Sequence, residues 1–474
     1  MVRVKLHNYG PKTSVKLDDE EFSVGPDVFI ALEGIGTFEG VTFEQKLRDL
    51  LAGGKDIHKV MTRVHRESTR RGHASITTSL NIQFEVMECS RVLSLMLVSP
   101  PFGSYLQESQ RRKRVDASYL ITPPDLGAHE EIYRDTFGEM LAVYDELIEN
   151  GIELEDARYV LPLGVKTSLF ASISFENYVG LIQYAEQHGQ EPYTPWELRV
   201  FVAELVRMLS EISPAILEAR LFFRNRLTTY PYPNPFKKGD KLLERLVRER
   251  GEPDEAIVIG ITNLAGDIAS IRDVFAAEDK EEADSLNPLI QAITLEPMSL
   301  VAYHQAIRHR TVPTAVESIH TAAERALSEP ERNIVIPPSV KKDDNLARLF
   351  LKTSENALRL YSKMIRGGVR PSSACYILPQ ALRIYVVRMY NGYNLLYPQG
   401  FIGTRTCSTT QWEERGIAYR VWREIERYDQ RLAGVMGEKC KMLGYCPEKE
   451  WCPIILKYHN YDDEMHKRYQ SRAV

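Results

Sequence analysis

Two arginines flank a histidine at Arg308, His309 and Arg310, where an apolar stretch of the chain ends. Arginine presents a planar fork of donors that fits phosphate and carboxylate groups and stacks on aromatic rings. The cluster therefore predicts a site for an anion or an electron-rich ring. A solvated helix end would carry the same residues.

A second polar cluster lies about 200 residues earlier and holds hydroxyl, amide and guanidinium groups: Ser104, Gln107, Ser109, Gln110 and Arg111. Together these groups could bind a phosphate and read the edge of a base. A polar surface loop would have the same composition. Arg158 stands apart in an apolar segment, where an arginine is usually either paired or functional.

The sequence around these clusters occurs twice. Three anchors recur in the same order, at offsets of 217, 216 and 209 residues: Ala157–Leu163 with Ala374–Gln380, Trp196 with Trp412, and Ser99 with Arg308. Anchors in one order at nearly constant offset indicate an internal duplication. Two unrelated helical domains that share short motifs are the alternative.

The length of 474 residues is too great for a single core and fits two halves of ordinary domain size. We expect four regions: a first half at 1–235, a linker at 236–256, a second half at 257–434 and an unpaired C-terminal extension at 435–474. Three prolines within 229–240 exclude regular structure there.

Apolar periodicity gives a coarse plan of the elements that position the clusters. It predicts helices over 47–64, 128–150, 194–225, 343–365 and 412–434, and a strand followed by a helix over 76–98.

The composition is that of a soluble globular protein, with 43% hydrophobic and 26% charged residues. A net charge of −5 gives no indication of nucleic-acid binding. No apolar run approaches the roughly 18 residues of a membrane span, and no signal peptide is apparent. We therefore expect a cytoplasmic protein without a nucleic-acid or membrane partner.

Three cysteines recur every six residues in the extension, at Cys440, Cys446 and Cys452, with His459 and His466 nearby. They are weak candidates for a zinc or iron–sulfur site, because such sites need four ligands and this spacing is unlike Cys-x-x-Cys. Buried or disulfide-linked cysteines are the favoured interpretation, so no metal is predicted.

The order of these motifs resembles that of the flavin-dependent thymidylate synthases. The resemblance covers about 70–225 and 283–434. It implies an α+β fold with two tandem halves, each a mixed sheet with packed helices. It also implies FAD as cofactor and methylation of dUMP to dTMP, with methylenetetrahydrofolate and NADPH as co-substrates. The family forms homotetramers with sites at subunit interfaces, so a homodimer of this duplicated chain would mimic the tetramer.

Each half matches only part of the family's site, and the resemblance assigns the roles. The expected dUMP ligands are Gln305, Arg308, Ser109, Gln110, Arg111, Arg158 and Arg405. The expected FAD contacts are Arg308, His309, Arg310, Ser104, Gln107, Asn394 and Ser285, with Ser75 matching the last position in the first half. Arg111, Arg308 and Arg405 are the expected catalytic residues.

The losses are complementary between the halves. The first half has Ser99, Pro100 and Pro101 in place of Arg-His-Arg, and Ala185 in place of a nucleotide-binding arginine. The second half has His320 and Cys375 where arginines are expected. We therefore expect a site composed from both halves.

Three other functions stay open. The chain could be a catalytically divergent homologue that still binds flavin or nucleotide, or a flavin enzyme that acts on another pyrimidine nucleotide. It could also be a non-enzymatic helical repeat protein that mediates interactions, although that would not explain complementary losses.

Overall fold

A computed structural model describes residues 2–457 except 18–19, 223–228, 266–270, 272, 275–278, 444–445, 449–451, 453 and 455–456. His459, His466 and the end of the extension lie outside these residues. The chain has an α+β fold, which confirms the predicted class.

The described strands form two four-stranded antiparallel sheets and a hairpin. Their bounds are β1 Arg3–Gly10, β2 Thr13–Leu17, β3 Glu20–Val24, β4 Asn81–Ser90, β5 Gly103–Gln107, β6 Lys166–Ser174, β7 Ile257–Asn263, β8 Ile290–Ser299, β9 Thr314–Val316 and β10 Arg383–Asn391. The first sheet has the order β1-β4-β6-β5 and the second β7-β8-β10-β9. The same order in both sheets is what a duplicated unit produces.

The helices of the first 237 residues are Pro26–Glu39, Phe43–Ala52, Ile57–Glu67, Ala74–Thr77, Arg91–Val98, Glu130–Glu149, Leu154–Ala157, Glu176–His188, Trp196–Ile212 and Pro214–Leu221. Those described further on are Lys241–Glu249, Lys280–Leu289, Leu300–Ala306, Ile319–Ser328, Pro330–Asn333, Asp344–Arg366, Pro371–Ala374, Gly392–Leu396, Phe401–Arg405, Trp412–Tyr428, Gln430–Val435 and Lys439–Leu443.

The helices predicted at 128–150 and 343–365 are confirmed, as is the strand followed by a helix within 76–98. Three other predicted helices are each divided in two. The break in 194–225 falls at Pro214, which starts a new helix because proline fits only the first turn. Asp429 divides 412–434 by capping the next helix, and a Gly53-Gly54 turn divides 47–64.

The segment expected to link the halves is partly helical. Asp240 caps the helix Lys241–Glu249 by accepting hydrogen bonds from two backbone amides. Leu243 and Val247 of that helix are buried. Residues 229–240 lack helix and strand, as the prolines predict.

Two compact units make up the chain, and each takes two separate stretches of sequence. Unit 1 contains residues 1–237 together with 337–379, and unit 2 contains residues 238–336 together with the chain from 380 onward. The first sheet lies in unit 1 and the second in unit 2. Residues 337–379 of the second repeat thus belong to the compact unit of the first.

Within unit 1 the two copies of the Leu-Pro motif pair with each other. Pro162 and Pro379 form an antiparallel bridge, and the Leu163 amide donates to the Leu378 carbonyl at 2.9 Å. Nearby, the long helices Glu130–Glu149 and Asp344–Arg366 pack together. The motif therefore recurs because both copies build this contact.

Candidate active site

The two arginines predicted in unit 1 are held by one acidic residue. Arg111 makes a two-pronged ion pair with the Glu155 carboxylate, at 2.8 and 3.1 Å. Arg158 Nε donates to the Glu155 backbone carbonyl at 3.0 Å. Glu155, which was missed from sequence, stands three residues before Arg158 and brings two cationic groups to one place.

The Arg158 guanidinium group has a donor that no described residue uses. Its side chain is buried, and Nη2 has no hydrogen-bond partner among the residues that the structure describes. Burial lowers the pKa of Arg158, and the charge of Arg111 lowers it further. A buried guanidinium group with an unused donor and a cationic neighbour is a strong site for an anion.

Gln110 has unused hydrogen-bonding groups as well. Its side chain is 5% exposed, and neither Nε2 nor Oε1 has a partner within the described part of the chain. A buried amide with a free donor and a free acceptor fits the edge of a pyrimidine. The neighbouring Ser109 is exposed, and its hydroxyl accepts from the Arg111 amide at 3.3 Å.

Ser104 and Gln107 lie on strand β5, which pairs with β6. Ser104 is exposed. Gln107 Nε2 donates to the hydroxyl of Ser94 at 3.0 Å, on the helix that precedes the first copy's loop. Gln107 therefore holds that helix to the strand.

In unit 2, Gln305 and the Arg-His-Arg cluster end the helix Leu300–Ala306. Gln305 Nε2 is buried and finds no partner among the described residues. Arg308 is exposed, and Arg310 is half-buried. The helix thus presents an unused amide next to two guanidinium groups.

His309 and Arg405 are in direct contact. Arg405 Nε donates to His309 Nε2, and the imidazole ring packs edge-on against Phe401 with ring centres 5.1 Å apart. Burial holds the pKa of His309 well below its usual value, and the charges of Arg405, Arg388 and Arg310 add to the effect. A neutral imidazole that accepts at Nε2 carries its proton on Nδ1, so it orients the arginine without opposing its charge.

A buried ionic cluster beneath this contact was not predicted. Arg388 is fully buried and forms an ion pair with Glu296, which also accepts from the Tyr390 hydroxyl at 2.7 Å. Glu414 lies 3.7 Å from Arg388 and 3.9 Å from Arg405. Burial raises the pKa of Glu414, while the two arginines act in the opposite direction.

Unit 1 has apolar residues at the corresponding places. By strand register, Val86 in unit 1 corresponds to Glu296 in unit 2, and Ala171 corresponds to Arg388. Leu198 lies two residues after Trp196, as Glu414 lies two residues after Trp412. Val86, Ala171 and Leu198 are all buried. The same sheet therefore folds without the ionic cluster. Because buried ion pairs are costly to desolvate, the cluster in unit 2 is not needed for the fold, and it lies against Arg405, a predicted site residue.

Asn394 supports the loop after Arg310. Its amide donates to Asn391 Oδ1 at 2.6 Å and to the Thr311 carbonyl at 3.2 Å, and it accepts from the Thr311 hydroxyl at 3.0 Å. Asn177, at the matching position in unit 1, accepts from the Phe102 amide at 2.9 Å and donates to the Tyr105 hydroxyl at 3.1 Å. The amide recurs in both copies, although only one copy keeps the Arg-His-Arg.

The two serines matched to a flavin contact lie on helices. Ser285 is exposed, and its hydroxyl donates to the Glu281 carbonyl of its own helix at 3.2 Å. Ser75 is exposed on the short helix Ala74–Thr77 of unit 1.

The residues at positions where the resemblance predicts arginines are buried: Ser99, Ala185, His320 and Cys375. The Ser99 hydroxyl donates to the Leu95 carbonyl at 2.6 Å, and the Cys375 thiol donates to the Ser372 carbonyl at 3.3 Å. Pro100 and Pro101 line a pocket of about 350 Å³ with Asn177, Tyr230 and Tyr232. The loop of unit 1 has thus kept a pocket but lost its cationic groups.

The cysteines of the extension are buried, and no disulfide links them. Cys440, Cys446 and Cys452 pack together. Burial raises the pKa of the Cys440 thiol to about 11, with Glu438 and the two neighbouring thiols contributing.

Two sheets of the same strand order, each in a unit that carries arginines and buried amides, define a duplicated α+β protein. A family model described as thymidylate synthase complementing protein matches residues 41–215 and 291–429. The matched segments cover more than half of the chain and coincide with the two repeats. The chain belongs to this family and contains the family's segment twice.

Two relatives are flavin-dependent thymidylate synthases from archaea. The chain is 33% identical to that of Pyrococcus abyssi over 168 residues, which are 34% of this chain and 66% of the relative. It is 32% identical to that of Thermococcus onnurineus over 172 residues, 35% of this chain and 69% of the relative. The match thus spans about two thirds of these relatives' length.

A solved structure, the UMP/dUMP methylase PolB from Streptomyces cacaoi bound with 5-Br dUMP, aligns with 48% of this chain and 97% of its own. The identity is 18% and the TM-score 0.32.

In the described part of the chain, no helix combines the length and apolar character needed to cross a membrane.

Proposed function

We propose that this protein is an FAD-dependent thymidylate synthase, which methylates dUMP to dTMP with methylenetetrahydrofolate and uses NADPH as reductant. The observation that carries the proposal is the complementarity of the two half-sites. Unit 1 offers unused groups on Arg158 and Gln110, and unit 2 offers the Arg405–His309 contact beside Arg308. The names of the relatives support the same reaction.

In unit 1, Arg111 and Arg158 would bind the dUMP phosphate. Both guanidinium groups are oriented by Glu155, so little side-chain freedom is lost on binding. Gln110 would pair with the uracil edge, since its amide has a donor and an acceptor to offer. Ser109 would add a hydroxyl and act in binding, not as a nucleophile.

In unit 2, Arg308, His309 and Arg310 would hold FAD, whose pyrophosphate and ring suit guanidinium groups. The buried Nε2 of Gln305, which has no hydrogen-bond partner among the described residues, supports a ligand at this helix end. When bound, the reduced flavin supplies the hydride. Arg405 is fixed by His309 and would stabilise negative charge that develops on the pyrimidine.

A complete site would need both sets of residues, and a homodimer would then have two complete sites where the family's tetramer has four. Sites built from Ser99, Pro100, Pro101, Ala185, His320 and Cys375 would bind poorly, because they lack charge-assisted contacts to phosphate.

The test is dUMP-dependent oxidation of reduced flavin in the presence of methylenetetrahydrofolate, with dTMP measured as product. We expect Arg111→Ala and Arg308→Ala each to abolish dTMP formation, since they remove different halves of one site. Arg112→Ala, exposed in the same segment as Arg111, is the matched control.

Three outcomes would contradict the proposal. A purified chain that takes up no added FAD would favour a non-enzymatic repeat protein. Flavin oxidation that responds to another pyrimidine nucleotide but not to dUMP would change the substrate. Flavin binding without any turnover would indicate a divergent homologue.

Mixing two inactive chains would show where a complete site forms. If it combines residues of two chains, a mixture of Arg111→Ala and Arg308→Ala chains regains activity, because one of the two sites is then intact. If each chain builds its own site, the mixture stays inactive.

A further inference from the structure

Four cysteine side chains of unit 2 line one small pocket. Cys440, Cys446 and Cys452 come from the extension, and Cys407 comes from the loop after the helix Phe401–Arg405. All four are free thiols. Cys407 stands far from the other three in sequence, so the fold assembles a set that the spacing alone does not show.

The groups around the thiols include hydroxyls and an ammonium group as well as two carboxylates, Glu438 and Glu448. The Cys452 thiol lies 3.4 Å from the Ser408 hydroxyl, and the Cys407 thiol lies 3.3 Å from the Thr409 hydroxyl. Lys439 also lines the pocket, where its ammonium group is paired with the Glu448 carboxylate. Hydroxyl donors and a nearby ammonium group stabilise thiolates and tune metal centres bound to them.

Burial as small apolar side chains does not account for the arrangement. Three of the thiols do pack as a buried cluster, but Cys407 is half-buried and faces the same pocket. A pocket enclosed by thiols is also unlike a packed core, in which neighbouring side chains fill the space.

The described side chains do not form a site for a single metal ion. In a tetrahedral zinc site the sulfurs stand about 3.8 Å apart, given zinc–sulfur distances near 2.3 Å. Among the described residues, no three His, Cys, Asp or Glu side chains are placed to hold one ion. In an iron–sulfur cluster each cysteine binds a different iron atom, so the thiolates stand further apart around a central space.

We propose that Cys407, Cys440, Cys446 and Cys452 bind an iron–sulfur cluster. The cluster ties the extension to the loop that begins directly after Arg405. It replaces the metal-free interpretation favoured by the six-residue spacing. This proposal does not depend on the proposed synthase activity, and either proposal can be wrong without the other.

The experiment measures iron, acid-labile sulfide and zinc in the full chain purified without oxygen. Apoprotein is also supplied with ferrous iron and sulfide under a thiol reductant. We expect iron and sulfide to be bound in similar amounts. Cys407→Ser and Cys446→Ser are each expected to lower bound iron at least about tenfold, as losses of metal affinity from changes at such sites reach that size or more.

Cys89→Ala is the matched control, since Cys89 is a buried free thiol of unit 1. It should keep the full iron content. Stoichiometric zinc without sulfide, lost in the Cys407→Ser chain, would overturn the cluster in favour of a single ion. If the wild-type chain binds neither iron nor zinc, the proposal of a metal centre is wrong, whether or not the serine variants fold. Iron content is read independently of dTMP formation, so either proposal can fail alone.

Discussion

The Glu413 carboxylate accepts two hydrogen bonds from Ser299, from the backbone amide at 2.7 Å and from the hydroxyl at 2.6 Å. Ser299 caps the helix Leu300–Ala306, which leads into the Arg-His-Arg cluster. Glu197 holds Ser90 in the same way in unit 1. The glutamate of each Trp-Glu motif therefore holds the serine that caps the helix before Ser99 or Arg308. This role explains why the motif recurs in the first half, which lacks the Arg-His-Arg cluster.

Glu413→Ala should destabilise unit 2 by about 1–3 kcal/mol, because it leaves the buried amide and hydroxyl of Ser299 without an acceptor. Flavin retention should fall as the capped helix loosens. Urea unfolding followed by fluorescence measures the first effect. Glu413→Gln keeps one acceptor oxygen and should lose less, and Glu426→Ala, exposed on the same helix, is the control. Equal stability of the Ala and wild-type chains would show that the support is dispensable.

Arg158→Ala should weaken dUMP binding by about 10- to 100-fold and leave flavin binding unchanged. A charge-assisted hydrogen bond is worth about 1.5–3 kcal/mol, and Arg158 Nη2 is available to make one. Calorimetric titration of the two variants, Arg158→Ala and Arg112→Ala, measures the difference. Unchanged dUMP affinity would remove Arg158 from the site.

The buried ionic cluster offers a way to separate stability from function. Arg388→Ala alone should cost about 3–5 kcal/mol, since Glu296 would remain buried without a counter-charge and Glu414 would keep only Arg405. The triple variant Glu296→Val, Arg388→Ala and Glu414→Leu copies the residues of unit 1 and should recover most of that stability.

The same triple variant should still form less dTMP than wild type, because Arg405 and His309 lose the charges beneath them. Thermal unfolding and turnover are compared on the same preparations. A triple variant with wild-type turnover would reduce the cluster to a packing feature.

Unit 2 should lose stability on acidification because of His320. Burial lowers the pKa of His320 to about 3, so the folded chain keeps it neutral while the unfolded chain takes up a proton below about pH 6.5. The contribution of neutral His320 to the stability of unit 2 is intact above pH 6.5 and is lost as the pH falls towards 3. At pH 5 the loss is about 2 kcal/mol, and neutral His309 acts in the same direction.

Urea unfolding at pH 7.5 and pH 5 checks this dependence. His320→Gln should show a smaller difference between the two pH values than wild type. His58→Gln, on an exposed helical position, should not. An unchanged difference in the His320→Gln chain would mean that other groups cause the acid sensitivity.

Contiguous motifs were readable from the sequence, and networks between elements were not. Arg111, Arg158 and the Arg308–Arg310 cluster lie in short segments whose chemistry shows locally. Glu296, Arg388 and Glu414 come from two strands and a helix, and alternation along a strand does not tell which buried position holds a charge. Comparing the two copies would have found them, since Val86, Ala171 and Leu198 occupy the same places.

Several helices and the strand within 76–98 follow from periodicity, but the other strands and the grouping of the elements into units do not. Nothing in the apolar spacing of Asp344–Arg366 tells whether it packs in unit 1 or unit 2, because an amphipathic face fits either core. Cys407 was likewise left out of the cysteine set, because only the fold brings it to the others.

The pairing of Pro162 with Pro379 has a consequence for synthesis of the chain. Tyr376 also donates to the buried Glu197 carboxylate at 2.6 Å. The interior of unit 1 is thus completed by residues that follow strands β7, β8 and β9 in the chain. A nascent chain that emerges from the ribosome in order exposes the apolar surfaces of unit 1 until residue 379 is made. The first 237 residues therefore lack part of the interior of unit 1 while they are being made, and that unit can be completed only after residue 379 has been added.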